Sequence, residues 1–187
     1  PTLSNGSQPS FYQTFYGCSS LTGSIPATLF NGISGAPRTY MFYQTFYNCS
    51  GLTGEIPAGL FAGISGAPAQ NMFDYTFSDC SSLKTVPADL FAGITGKPVS
   101  KMFMYTFASS GLTAIPAGLF AGISGAPASN MFEGSNNLVT IVITGSGSMS
   151  EYSETTIPWK MKKANIQTIS ISEGITTLSS YSFKGCN

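Results

Sequence analysis

A long word that is repeated in tandem along the chain constrains the fold more than any other feature. A phenylalanine opens each copy, at nearly constant separations that shorten slightly toward the C-terminus. One copy cannot bury its apolar side chains alone, so neighbouring copies must supply the rest of the core. The sequence therefore predicts a stacked array of repeats. The opening residues are Phe11, Phe42, Phe73, Phe103 and Phe132.

Each copy divides into apolar positions that recur and positions that vary. The varying positions carry Ser, Thr, Gln, Glu, Lys or Ala, which is typical of a solvent-facing surface. The recurring positions should point inward. In the first copy they are Phe15, Leu21, Ile25, Leu29, Phe30 and Ile33.

The local words of a copy predict single helical turns and one short strand. Phe11 and Phe15 are four positions apart, which favours one helical turn over residues 11–18, and residues 27–33 favour another. "LTGSI" is Thr- and Ile-containing and predicts a strand, which ends at a proline without an N–H. The third and fourth copies lack one residue in this word. The extra Gly23 and Gly54 are therefore predicted bulges.

The period breaks from Asn137 onward. "LVTIVIT" and "IQTISIS" are the clearest strands of the chain, and "GSGS" predicts a loop. We expect residues 1–132 to form four long tandem repeats after a partial N-terminal rung. Residues 133–187 should form a divergent strand–loop–strand repeat that ends mid-unit. The whole is expected to be one continuous solenoid and a fragment of a longer protein.

The words "LFAGISGAP", "CSSLT" and "GSGSMSEYSETTIPW…IQTISISEGITTLSSYSFKGC" resemble the BspA-like leucine-rich-repeat family of bacterial cell-surface proteins. The four longer units depart from that family's usual length by several residues around "GISGAP". The resemblance implies an α/β repeat fold, a right-handed solenoid with short parallel strands, single helical turns and long loops. It also implies attachment to extracellular or host proteins.

Composition argues against two classes of partner. Charged residues make up 9% of the chain, and eight Lys and Arg balance eight Asp and Glu, so there is no basic footprint for nucleic acid. A run of about 18 apolar residues is absent, so we expect no membrane insertion. An extracellular or cell-surface location is the resulting expectation.

The four cysteines follow the repeat. Cys18, Cys49 and Cys80 occupy the same place in three consecutive copies, and Cys186 occupies the equivalent place in the last copy. Equivalent side chains of stacked rungs lie about 4.8 Å apart or more and point the same way, whereas a disulfide needs facing Cβ atoms about 3.5–4.5 Å apart. We therefore predict a shielded column of free thiols and no metal site.

Catalysis is not expected. The chain contains no histidine, which excludes Ser-His and Cys-His nucleophiles. The Gly-rich Thr144–Ser148 lacks the lysine and spacing of a phosphate-binding loop and is read as a turn. Most acids replace neutral residues of other copies and are read as solvated surface, without a cofactor. The acids are Glu55, Asp74, Asp79, Asp89, Glu133, Glu151, Glu154 and Glu173.

The main functional hypothesis is a non-catalytic adhesion module that binds proteins through variable outward positions of a solenoid. Two outward columns on the strand words are its candidate binding residues. The first column is Thr22, Thr53, Lys84 and Thr113, and the second is Ser24, Glu55, Thr85 and Ala114.

Two other functions stay open. Exposed tyrosines can stack on sugar rings, so glycan binding is one alternative, and a tyrosine beside Phe can equally pack at the margin of the core. The second alternative is a structural stalk. The tyrosines at outward phases are Tyr12, Tyr16, Tyr43 and Tyr47, with Tyr75 and Tyr105 one position along.

Overall fold

The computed structural model shows successive copies of the repeat lying against one another through parallel backbone pairing. Isolated parallel bridges join Gly35 to Ile64 and Gly66 to Ile94, which are neighbouring positions of consecutive copies. The stacking of copies is thus seen directly, while the handedness and the leucine-rich-repeat class stay predictions. The structure describes residues 11–116, 118–124, 140–143, 147–148, 168–171 and 175–177.

All strand pairs in the described residues are parallel. Strand β1, Gly54–Glu55, pairs with β2, Leu83–Thr85. Strand β3, Thr140–Ile143, pairs with β5, Thr168–Ile171, which confirms the two strands predicted there. Strand β4, Gly147–Ser148, pairs with β6, Ile175–Thr177. The predicted "GSGS" loop is therefore wrong for its last two residues, whose backbone is paired.

The register of β1 and β2 is irregular next to Gly54, but the prediction of Gly54 as the extra residue is wrong. Gly54 pairs with Leu83, while the next residue, Glu55, pairs with Thr85. The residue skipped in this register is Lys84 on the partner strand. Gly54 has a φ of 83°, a conformation that glycine adopts without strain.

The opening part of each copy forms what we call the turn face, which comprises residues 11–18, 40–49, 71–80 and 101–110. In the first three of these segments every second N–H bonds to the next copy, as in the 2.8 Å bond from Phe42 N to the Met72 carbonyl. The intervening N–H groups bond three positions back, as in the 3.2 Å bond from Thr45 N to the Phe42 carbonyl. Overlapping turns and inter-copy bonds thus alternate along this face.

No described residue lies in a helix, so the single helical turns predicted for 11–18 and 27–33 are not found. On the turn face the reason is a positive φ at every fourth residue, for example 52° at Gln44 and 56° at Asn48. This left-handed conformation interrupts a helix. It also turns alternate N–H groups toward the next copy, where a helix would have satisfied them internally.

Three columns of stacked phenylalanine rings fill the core between copies. Consecutive rings lie nearly parallel, with centroids 5.3 Å apart for Phe42 and Phe73 and 5.3 Å apart for Phe46 and Phe77. The third column packs against both of these at tilted angles. The columns are Phe11, Phe42, Phe73 and Phe103; Phe15, Phe46, Phe77 and Phe107; and Phe30, Phe61, Phe91 and Phe120.

The predicted inward set is confirmed for Ile25, Phe30 and Ile33, which are buried, whereas Phe15 is half-buried. Leu21 and Leu29 are 42% and 36% exposed, so the prediction is wrong for them. They belong to the first described copy, which has no described neighbour on its N-terminal side. Their equivalents in the second to fourth copies are buried: Leu52, Leu83, Leu112, Leu60, Leu90 and Leu119.

The glycines of the "GIS" and "GIT" words in the second to fourth copies mark a close approach of two copies. A Cβ on Gly63 would overlap the Ile33 carbonyl oxygen, and one on Gly93 would overlap the Ile64 carbonyl oxygen. Only a residue without a side chain lets the backbones approach this closely.

The three described cysteines are free, as predicted. The Sγ atoms of Cys49 and Cys80 are buried and donate to the carbonyls of Phe15 and Phe46 at 3.1 Å. Burial raises the pKa of the Cys49 thiol to about 11 and raises the pKa of Cys80 as well. Cys18 is exposed, so its predicted shielding is wrong. Cys186 lies outside the described residues.

Candidate functional site

The predicted binding columns lie on the strand face, which we define as residues 21–25, 52–56, 83–86 and 112–115. Parallel pairing of consecutive copies places equivalent residues side by side, with Thr53 N bonded to the Gly23 carbonyl at 2.9 Å. On either side of the outward residues Thr53 and Glu55, the side chains of Leu52 and Ile56 are buried, as predicted. Every column residue is exposed: Thr22, Thr53, Lys84, Thr113, Ser24, Glu55, Thr85 and Ala114.

The strand face is polar and built from small side chains. Its two charged residues are Glu55 on β1 and Lys84 on β2. The Lys84 Nζ donates to the Ser81 carbonyl at 3.4 Å, which ties its ammonium to its own copy. The remaining column residues offer hydroxyls and methyl groups. This surface can donate and accept hydrogen bonds, but its described residues hold no carboxylate pair for general acid–base chemistry.

A third exposed column, which we call the hydroxyl column, was missed by sequence reasoning. It follows the bridges after the Gly-Ile words, where Ser65 N bonds to the Gly35 carbonyl at 3.0 Å. The available signal was the Ser-Gly or Thr-Gly dipeptide that recurs in each copy. Its residues are all exposed: Ser34, Ser65, Thr95 and Ser124.

Seven tyrosines cover much of the turn face in one connected group, the tyrosine cluster. Tyr12 and Tyr16 are 46% and 50% exposed, and the rings of Tyr43, Tyr47 and Tyr75 further along the stack are half-buried. Tyr40 was not singled out from sequence because it precedes the phenylalanine word. The cluster is Tyr12, Tyr16, Tyr40, Tyr43, Tyr47, Tyr75 and Tyr105.

The tyrosine rings stack mainly on each other. Tyr12 and Tyr43 lie 5.1 Å apart at 19°, and Tyr75 and Tyr105 lie 4.7 Å apart at 25°. Tyr40 stands at 86° to Tyr43, with centroids 5.3 Å apart. Sugar recognition by stacking needs a free ring face, and these contacts occupy ring faces. The arrangement therefore favours the core-margin interpretation over a flat row of sugar-binding rings.

The phenol groups of the cluster include two with raised pKa values near Asp74. Burial is the main cause for Tyr43 and Tyr75, and for Tyr75 it raises the pKa to about 12. The carboxylate of Asp74 contributes to both shifts. These two hydroxyls therefore stay protonated at neutral pH and can donate hydrogen bonds.

Asp74 is 2% exposed, so its interpretation as solvated surface is wrong. It occupies the position in the third copy that Tyr43 occupies in the second copy. One oxygen, Oδ2, accepts from Asn71 Nδ2 at 3.0 Å. The other oxygen, and the Asn71 carbonyl oxygen, have no hydrogen-bond donor. Burial raises the pKa of Asp74 to about 6, against the Asn71 hydrogen bond and the Lys101 charge, which lower it.

The other described acids lie nearer to solvent. Asp79 is half-buried, and its Oδ2 accepts from the Ser78 hydroxyl at 3.2 Å. Glu55 and Asp89 are exposed, as predicted. The acids of the C-terminal part, from Glu133 onward, lie outside the described residues.

A surface depression at the first described copy is lined by Phe15, Cys18 and Leu21 with intervening small residues, and no carboxylate lines it. In the described part of the chain, no three His, Cys, Asp or Glu side chains are grouped to hold a metal ion. Nor do these residues include a helix long and apolar enough to cross a bilayer.

No family model matches this chain, and neither the curated proteins nor the solved structures contain a significant match to it.

Proposed function

We propose that the chain is a non-catalytic binding module of a secreted or cell-surface repeat protein, built as a leucine-rich-type solenoid. It attaches to extracellular proteins through exposed faces of the stack. The observation that carries the proposal is the exposure of both strand-face columns on consecutive copies, as for Thr53 and Lys84. The residues beneath them recur, while the columns themselves vary in charge and size.

The stacking suits recognition spread over several copies. A standard protein interface needs about 800 Å² per partner, from about 20–30 residues. Each copy offers one or two outward side chains on a given face, so several adjacent copies must contribute. The resemblance to the BspA-like family supports the same reading and adds bacterial attachment to host surfaces.

The test immobilises the chain and screens extracellular-matrix proteins beside a glycan array. The decisive variant replaces Thr22, Thr53, Lys84 and Thr113 jointly by alanine. Its matched control replaces the four residues of the hydroxyl column by alanine. These residues are also exposed, but they lie outside the strand face: Ser34, Ser65, Thr95 and Ser124. Loss of protein binding in the first variant, with folding intact in both, is the expected result.

Three outcomes contradict the proposal. The first is that no matrix protein binds, and the second is that both quadruple variants bind alike. The third is glycan binding that is lost when Tyr12 and Tyr43 are replaced, which would support sugar recognition as the function instead.

A further inference from the structure

A second site, independent of the strand face, follows from the environment of Asp74. We propose that Asn71, Asp74 and the tyrosines around them bind the cationic side chain of a lysine or arginine on a basic protein segment. The proposal does not require the strand-face columns to bind anything.

The first argument is the pair of unsatisfied acceptors. Asn71 and Asp74 are 5% and 2% exposed, and each has one side-chain oxygen without a donor. Buried polar groups in folded proteins are nearly always hydrogen-bonded. Two acceptors on neighbouring side chains, one of them a carboxylate, match the several N–H donors of an ammonium or guanidinium group.

The second argument is the aromatic surroundings. Tyr43 and Tyr75 both experience the Asp74 charge, and their rings meet at 73° with centroids 6.4 Å apart. Tyr40 meets Tyr43 at 86°. A cation is attracted to a ring face. Tyr43 and Tyr75 each use one face to stack on Tyr12 and Tyr105, so their opposite faces are the ones that contribute to this site.

The third argument concerns the chain's own cations. Lys101 is exposed and lowers the pKa of Asp74, but it donates no hydrogen bond to the unpaired carboxylate oxygen. Lys101 therefore leaves the second carboxylate oxygen of Asp74 without a hydrogen-bond donor. A lysine or arginine of another protein can supply that donor and a positive charge.

Access to the site requires a ring movement. The unpaired oxygens are buried, so a cation reaches them only when side chains around them move aside. Tyr43 and Tyr75 are half-buried, and rotamer changes of side chains at a surface take nanoseconds. The entering side chain then replaces ring contacts with cation–π contacts.

The experiment measures binding of a labelled oligolysine peptide to the folded chain, with an oligoglutamate peptide of equal length as the charge control. At neutral pH and moderate salt we expect the lysine peptide to bind and the glutamate peptide not to bind. Asp74→Asn should weaken binding about tenfold or more while the protein stays folded, since it removes a buried charge. Tyr43→Leu should weaken it too, and Tyr16→Leu, away from Asp74, should not.

The pH dependence adds a further check. The groups facing Asp74 are Asn71, Lys101, Tyr43 and Tyr75; the amide does not titrate, and the pKa values of the two tyrosines are raised. Binding of the lysine peptide should be stronger at about pH 7.5 than at about pH 5, because Asp74 takes up a proton as the pH falls through about 6. The Asp74→Asn variant should lose this difference.

Full binding by Asp74→Asn, equal binding of both peptides, or equal losses in Tyr43→Leu and Tyr16→Leu would each overturn the site. Should Asp74→Asn fail to fold, the two tyrosine variants decide the question. Binding of a matrix protein through the strand face, without any binding of the lysine peptide, would remove this site and leave the proposed function standing.

Discussion

The turn face and the strand face hold the same copies together by different means. Between the second and third copies the turn face makes five inter-copy N–H bonds, donated by alternate residues from Tyr40 to Asn48. At the same level the strand face pairs only Gly54–Glu55 with Leu83–Thr85, in an irregular register. The face with no regular secondary structure is thus the more evenly bonded one.

Side chains widen the difference. On the turn face, hydroxyls reach back into the preceding copy, from Thr45 to the Phe11 carbonyl at 2.7 Å and from Thr76 to the Phe42 carbonyl at 2.8 Å. The strand-face columns point to solvent instead. Every full copy also keeps the Phe-x-x-x-Phe spacing, while the strand word shortens from "LTGEI" to "LKTV". The turn face therefore sets the stacking, and the strand face absorbs variation in repeat length.

The largest expected effect is on the phenylalanine columns. Phe77 and Leu83 belong to the same copy, one on each face, and both are 0% exposed. Phe77→Ala should lower the free energy of unfolding by about 3–5 kcal/mol and Leu83→Ala by about 2–5 kcal/mol, measured by urea denaturation. A clearly larger loss of unfolding free energy for Leu83→Ala would contradict the conclusion that the turn face sets the stacking.

The next effect is a pH dependence centred on the turn face. The pKa of Asp74 is about 6 when folded, against an ordinary value of 3.8, so the folded state binds the proton more tightly. Its contribution to stability is present below pH 3.8 and is lost as the pH rises through about 6. At about 1.4 kcal/mol per pKa unit the full loss is roughly 3 kcal/mol.

Asp74→Asn should therefore raise the melting temperature at about pH 7.5 and flatten the pH profile of stability between about 4 and 6. Glu55→Gln is the control on the strand face, because its carboxylate is exposed. A wild-type protein whose stability rises across this range would show that Asp74 is not the buried acid described here.

Sequence reasoning recovered the stacking of the copies and, on the strand face, which residues are buried and which are exposed. It missed the overlapping turns, because Phe-x-x-x-Phe fits a helix equally well and the positive φ falls on Gln44, Asn48 and Tyr75, which are not glycine. It also missed the burial of Asp74. A single acid among neutral equivalents looks solvated, whereas Asp74 is buried in the stacked array.

A smaller effect on stability should come from the Gly-Ile words, where isolated parallel bridges hold consecutive copies close together. Gly63→Ala brings a methyl group into the Ile33 carbonyl oxygen, so the copies must separate locally. Overpacking of this kind costs about 1–3 kcal/mol. Ser65→Ala, exposed two positions later, should change the free energy of unfolding by less than about 0.5 kcal/mol. If the two variants had similar free energies of unfolding, the copies could separate at Gly63 without loss of stability.

The smallest effect tests the hydroxyl bonds that distinguish the two faces most directly. Thr76 is fully buried, and its Oγ1 donates to the Phe42 carbonyl, whereas Thr53 on the strand face is exposed. Thr76→Val keeps the side-chain shape and removes that donor, so we expect a loss of about 1 kcal/mol in urea denaturation. The Phe42 carbonyl still accepts the Thr45 N–H, which limits the loss. Thr53→Val should stay within about 0.5 kcal/mol of wild type. If Thr76→Val were as harmless as Thr53→Val, the backbone bonds alone would hold the turn face, and the threonine repeated in each copy would need another explanation.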